Sequence, residues 1–239
     1  MLYISPEHRR RMLIIGFIGA VLFAIGDVLL QSFTEEGEVI LLFMNTSIRD
    51  LPISWLYFTL VSGIIATVML YVGLSAMDSF LSDQLKQRTT GKEHKMYFVF
   101  RLAAIIASLS FFAAHSVCAV LEMSAKQALI YGMDAKTIEA AFKTPFLVSF
   151  VATNIWVTFT EVCLSITFIY FVLKRVIPLP VWACGMNTAG CYIVFHVIGA
   201  LLTRVTGSGI FATLSSAGAS FGIGAMFLAV VHACQSRFE

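Results

Sequence analysis

The sequence specifies an all-α polytopic membrane protein, a six-transmembrane-helix bundle with both termini on the cytoplasmic side. Three features lead there. Hydrophobic residues fill 59% of the 239 positions and charged residues only 13%, where soluble domains carry about 25% charged residues. Six apolar stretches are each long enough to cross a bilayer, which takes roughly 20 residues of helix. Lysine and arginine fall unequally on the two sides that those stretches define. Mean hydropathy is +0.87. A net charge of +2 leaves no broad basic surface, which excludes nucleic acid as a partner.

The spans read near 12–33, 54–80, 96–122, 146–173, 180–203 and 209–234, all within one integral membrane domain over 1–239. The first is expected to be a retained helix. Its apolar run exceeds a signal-peptide h-region, and no small-x-small cleavage site follows. With the N-terminus inside, the cytoplasmic segments hold Arg9, Arg10, Arg11, Lys86, Arg88, Lys92, Lys95, Arg101, Lys174, Arg175 and Arg237. The opposite side holds Arg49, Lys126, Lys136, Lys143 and Arg204, with Glu35, Glu36 and Glu38 beside them. This asymmetry sets the orientation by the positive-inside rule. The His8–Arg11 run reads as a headgroup anchor.

Two outer loops are more than connectors. EVILLFMNTSIRDLP (38–52) holds an apolar run too short to span, suited to an interfacial or re-entrant segment, and carries the glycosylation triplet Asn45-Thr46-Ser47. DAKTIEAAFKTP (134–145) reads as a short amphipathic surface helix. Asp134 is its N-cap, Ile138, Ala141 and Phe142 form one face, and Pro145 terminates it.

Polar residues inside the spans are the main functional signal. Thr67, Tyr71, Ser75, Asp78 and Ser82 share one face of the second span. Arg101, Ser108, His115 and Glu122 recur every seven residues in the third. Asn154, Thr158, Glu161 and Ser165 stripe the fourth, and Thr188, Tyr192, His196 and Thr203 the fifth. In the first, Asp27 shares a stripe with Gly16, Ala20, Phe23 and Gln31. A central Asp, Lys or Arg facing lipid costs roughly 2.5–3.5 kcal/mol, so the stripes are expected to turn inward.

Depth separates the candidates into layers. Asp27, His115 and His196 lie roughly 16–20 residues from the inner ends of their spans, about 24–30 Å at 1.5 Å per residue. Asn154 falls in the same outer half, with Glu161 nearer the midplane. Together these five predict an outward polar pocket for binding or proton relay. Glu122 and Arg204 are expected at the outer rim, where Arg204 and Lys126 would suit a headgroup phosphate. Asp78, Arg101 and His232 form an inner polar layer.

The sixth span carries Gly218 and Gly222 as a GxxxG among Ser215, Ser216, Ala219 and Ser220. Such small residues allow close helix approach. They are expected to pack within the bundle, with a homodimer face as the alternative. Two histidines with Asp27 or Glu161 offer a His₂-carboxylate set for a transition metal, although no HxxxH or HExxH spacing supports it. No cofactor is otherwise predicted. The five cysteines show no CxxC spacing and read as buried thiols.

GFIGAVLFAIGDVLL (16–30) resembles the opening helix of a group of uncharacterised bacterial multispanning membrane proteins, and PLPVWACGMN (178–187) is similar to the same group. The resemblance implies a bacterial inner-membrane protein and marks Gly26 and Asp27, but brings no activity. Three functions fit the residues. The first is binding or transport of a small ligand or cation, with proton coupling. The second is an intramembrane lipid-modifying enzyme, with or without a metal. The third is an accessory or sensor subunit whose polar core only specifies its assembly.

Overall fold

The computed structural model describes residues 1–30, 37–41, 44–86, 88, 91–207, 211 and 213–235. Gln31, Glu35, Glu36 and Arg237, the remainder of the first span, and positions 209, 210 and 212 of the sixth lie outside the described residues, as do the side chains of Ser216 and Gln235. Seven α-helices follow in order among those described: α1 (Pro6–Leu30), α2 (Ile53–Leu85), α3 (Gly91–Ile130), α4 (Ala135–Phe146), α5 (Ala152–Leu173), α6 (Thr188–Thr206) and α7 (Leu214–Gln235). Counting α4 and α5 as one continuous rod, six helices among the described residues are long and apolar enough to cross a membrane. The chain is a multi-pass membrane protein.

The spanning helices close into a ring in the order α1, α2, α3, α5, α6, α7 and back to α1. Glycine decides how tightly neighbours meet. A Cβ on Gly16 would lie 2.6 Å from the Gly73 Cα, so α1 and α2 touch backbone to backbone at that level. The GxxxG of α7 faces α6: a Cβ on Gly218 would come 2.6 Å from the Phe195 Cβ, and one on Gly222 would come 2.6 Å from the Asn187 carbonyl oxygen. The motif therefore packs within the bundle. Gly224 turns to α1, where a Cβ would meet Phe17 at 2.9 Å. α5 and α6 touch far less than the other neighbours.

The helices outrun the predicted spans. α3 has 40 residues, about 60 Å of helix against a hydrocarbon core of about 30 Å. Its projecting end supports a cap. Strands β1 (Val39–Leu41) and β2 (Met44–Asn45) pair antiparallel, and a 3-10 turn follows over Thr46–Arg49. Ile40, Leu41, Met44 and Ile48 bury against Leu121, Ala125 and Leu129 of α3 and Ile138 and Phe146 of α4. The 38–52 segment is thus a folded cap within its described residues. Asn45 caps the 3-10 turn, its Oδ1 accepting from the Ser47 amide at 2.9 Å.

Two sequence expectations change here. Asp134 does cap α4, accepting from the Thr137 amide at 2.8 Å. Pro145, however, does not end the helix. The chain runs through it into a π-helical turn over Leu147–Val151 and on into α5. A proline removes one donor and crowds the carbonyl four residues back, yet the rod continues through Pro145, and the π turn follows it. Ala141 is also exposed, leaving Ile138 and Phe142 as the inward face. At the other end of the bundle, Arg9 of the basic run is buried rather than a free anchor. It pairs with Asp83 and donates to the Ile4 carbonyl at 3.0 Å.

Candidate functional site

Inside the ring lies a cavity of about 370 Å³, in the range of small-molecule sites. Its polar groups come from every ring helix except α2: Asp27 from α1, His115 and Glu122 from α3, Asn154, Thr158 and Glu161 from α5, Tyr192 from α6 and Ser220 from α7. Among its described lining there is no lysine or arginine.

An aspartate–histidine pair forms one wall. His115 Nε2 stands 3.2 Å from Asp27 Oδ1, and the Ser220 hydroxyl donates to Asp27 Oδ2 at 2.6 Å. Small residues make room for the imidazole. Cβ atoms on Gly26 and Gly63 would each come within 3.2 Å of the His115 side chain. Gly26 therefore serves the residue that Asp27 binds. Phe23 lies against the ring at 4.4 Å between centroids. Two open glycine positions and one aromatic face thus fix the plane of the imidazole and present its Nε2 to Asp27.

Glu122 is fully buried, and neither of its carboxylate oxygens has a hydrogen-bond partner. His115 Nδ1 and the Thr59 hydroxyl are also buried without partners. Buried polar atoms are bonded in nine cases of ten or more, and His115 Nδ1 and both Glu122 oxygens are exceptions that belong to the cavity lining. On α5, Asn154 donates to the Phe150 carbonyl at 2.9 Å, and Glu161 is half-buried on the same face.

The structure brings together Asp27, His115, Asn154, Glu161 and Glu122, but not the other candidates. His196 is exposed on α6, stacked on Tyr192 with centroids 6.1 Å apart, and does not line the cavity. The His₂-carboxylate set therefore does not converge. Among the described residues, no group of three or more His, Cys, Asp or Glu side chains is arranged to hold a metal ion. Glu122 is inside the protein rather than at a wet rim. Arg204 is exposed on α6, and Lys126 is buried and donates to the carbonyls of Ile48 and Arg49. That contact fastens the cap by placing a cation at the carbonyl end of the 3-10 turn. It leaves no cationic pair for a phosphate at the cavity. In the inner layer, Asp78 is buried and meets Arg101 at 3.8 Å and the Tyr97 hydroxyl, while Arg101 is half-exposed and His232 is exposed.

Sequence reasoning missed Ser220, Thr59 and Gly63. Ser220 sits 193 positions from the carboxylate it binds, and within α7 it looks like one more small residue at a helix contact. The geometry also bears on chemistry. A hydrolytic triad needs a serine donating to the histidine. Here the serine donates to the aspartate, and the histidine faces the same carboxylate. The arrangement holds charge and can hold or pass a proton, and it presents no activated nucleophile.

No match was found among curated proteins or among solved structures. A model of a family of unknown function (DUF6796) matches residues 5–237, and the chain belongs to that family.

Proposed function

We propose that this DUF6796 member binds a small cation in the ring cavity and moves it in exchange for a proton carried by the Asp27–His115 pair. The observation that carries the reading is the makeup of the cavity. Three carboxylates, Asp27, Glu122 and Glu161, face it with one histidine and no opposing lysine or arginine among the described lining. A carboxylate in a membrane interior favours any cation that can reach it, and such groups commonly mark ion or proton pathways. Phe111, Phe150 and Tyr192 add aromatic faces that suit an organic cation.

The orientation follows the positive-inside rule, with the termini in the cytoplasm and the cap outside. That puts the cavity on the route from the outer surface, in the bacterial inner membrane that the sequence resemblance implies. Membrane lipids surround the ring, and the accessory role explains neither the cavity nor the unpartnered Glu122 carboxylate.

The test is thermal unfolding of the detergent-solubilised protein with benzyltrimethylammonium and with benzenesulfonate, an anion of similar size. Saturating cation is expected to stabilise by about 2.7 kcal/mol at 100 times its Kd, while benzenesulfonate leaves Tm unchanged. Asp27→Asn, checked by size-exclusion profile for an intact fold, is expected to lose about half of the shift, as a roughly tenfold weaker Kd implies. Equal stabilisation by the anion, or no shift from the cation, would overturn the proposal.

A further inference from the structure

The seams of the ring are not alike. Those of α1 with α2, α6 with α7 and α7 with α1 are closed by glycines that admit a neighbouring backbone or ring to van der Waals contact. The α5–α6 seam has a clasp at one end. The Thr188 hydroxyl donates to the Glu161 carbonyl at 2.8 Å and bonds Ser165, whose hydroxyl oxygen accepts from the Ala189 amide at 3.1 Å. Thr188 is the first residue of α6, so the clasp sits at the bottom of the seam.

Above the clasp the seam opens into the cavity. Thr158 and Tyr192 line the cavity, and both are exposed on the surface of the bundle. A side chain that does both stands at a mouth. The mouth is not at the membrane rim. α6 continues from Tyr192 to Thr206, about 21 Å more at 1.5 Å per residue. On α5, the residues one turn either side of Thr158 are the exposed and apolar Ile155 and Val162. The opening therefore faces acyl chains.

We infer that the cavity takes its ligand sideways from the bilayer through the α5–α6 seam, and that the ligand is a lipophilic amine, an apolar body carrying one ammonium group. This rests on the reading of the cavity as a cation site. The ammonium sits among Asp27, Glu122 and Glu161, and the apolar body lies along Phe111, Phe150, Val157 and the mouth. Glu122 supplies the independent mark of a ligand, because it is fully buried and both its oxygens lack a partner. A phospholipid headgroup is the alternative source of an ammonium group, and the cavity disfavours it. Its phosphate would stand among carboxylates with no lysine or arginine in the described lining, because Lys126 is held by the Ile48 and Arg49 carbonyls.

The test uses the full chain in phosphatidylcholine vesicles with two photoreactive probes. One is a dodecylamine with a diazirine beside its amine, the other a phosphatidylcholine with the diazirine beside its headgroup. Labelled positions are mapped by mass spectrometry. The amine is expected to label the segments holding Thr158, Glu161 and Tyr192. Excess benzyltrimethylammonium, or Asp27→Asn, is expected to cut that labelling about tenfold, as losing one charge-assisted contact implies. The phospholipid is expected to label only exposed positions at the ends of the span, such as Trp182 and Val205, with no competition. If benzyltrimethylammonium stabilises the protein yet the amine labels outward positions alone, the sideways route is wrong and the cation site stands. If neither cation engages the cavity, both readings fail. Competed labelling of the cavity by the phospholipid would overturn the assignment to an amine.

Discussion

α6 and α7 are neighbours, each of which crosses the membrane once, and each carries hydroxyl and small side chains. Yet 67% of the α7 span is buried inside the protein and only 11% of the α6 span. The difference lies in their places in the ring. α7 is wedged between α1 and α6, with Gly218 and Gly222 turned to one and Gly224 to the other. α6 leans on α7 and meets α5 only loosely, so most of its surface faces outward. A span that contacts lipid and a span that contacts protein are both apolar, and composition does not tell them apart. What separates them is whether small residues let a second backbone approach.

The comparison is broken most severely at a sealed seam. Gly16→Leu drives a side chain into the Gly73 backbone and Phe227 ring, and overpacking of this kind costs about 3 kcal/mol. Loss of the monodisperse peak in detergent is the expected result. The matching change on the outward face of α6, Ala200→Leu, is expected to stay within about 0.5 kcal/mol. Equal damage from the two would mean that α6 is not peripheral.

Next comes the Asp27–His115 pair in the cavity wall. Asp27→Ala leaves both His115 and Ser220 without their acceptor, an expected loss of about 2 kcal/mol by thermal or chemical unfolding. His196→Ala removes an exposed ring and is expected to change stability by less than about 0.5 kcal/mol. A large effect at His196 would return that residue to the site.

A smaller effect is expected at the clasp. Thr188→Val keeps the shape but removes the hydroxyl that joins Ser165 to the Glu161 carbonyl, at about 1 kcal/mol. If the clasp limits how far the seam opens, amine labelling through the mouth rises in this variant while the melting temperature falls slightly.

The smallest effect is outside the spans. The Thr137 amide and hydroxyl hold the Asp134 carboxyl below the usual aspartate range. A lowered folded-state pKa contributes stability above the unfolded value and loses it as pH falls through the folded one. Acid well below the ordinary aspartate pKa is therefore expected to fray the start of α4 by amide exchange. At neutral pH no change is expected.

These contrasts show what could be read in advance. Six spans follow from length and apolarity, because the bilayer imposes both. Asp27, His115, Glu122 and Glu161 could be singled out because an acid or imidazole in a span must face protein or water. The same rule fails for α6. Tyr192 and His196 share a stripe, but the stripe faces the open seam and the outer surface, since α5 does not close against it. Pro145 has the chemistry of a stop, with no donor and a ring that crowds the preceding turn, and nothing in the sequence marks the π turn that follows it. Ser220 needs the ring order before it can be paired with Asp27. Long-range contacts of this kind depend on which helices are adjacent, and no span carries that information alone.

The central claim is that a cation and a proton compete for the Asp27–His115 cavity, and one calorimetric titration tests it directly. Benzyltrimethylammonium has no proton of its own, so any proton released on binding comes from the protein. Titrating it at one pH in two buffers of different ionisation enthalpy reads that release as a difference in apparent heat. The account predicts net proton release in the wild type and its loss in His115→Gln. Binding with the same heat in both buffers would contradict it.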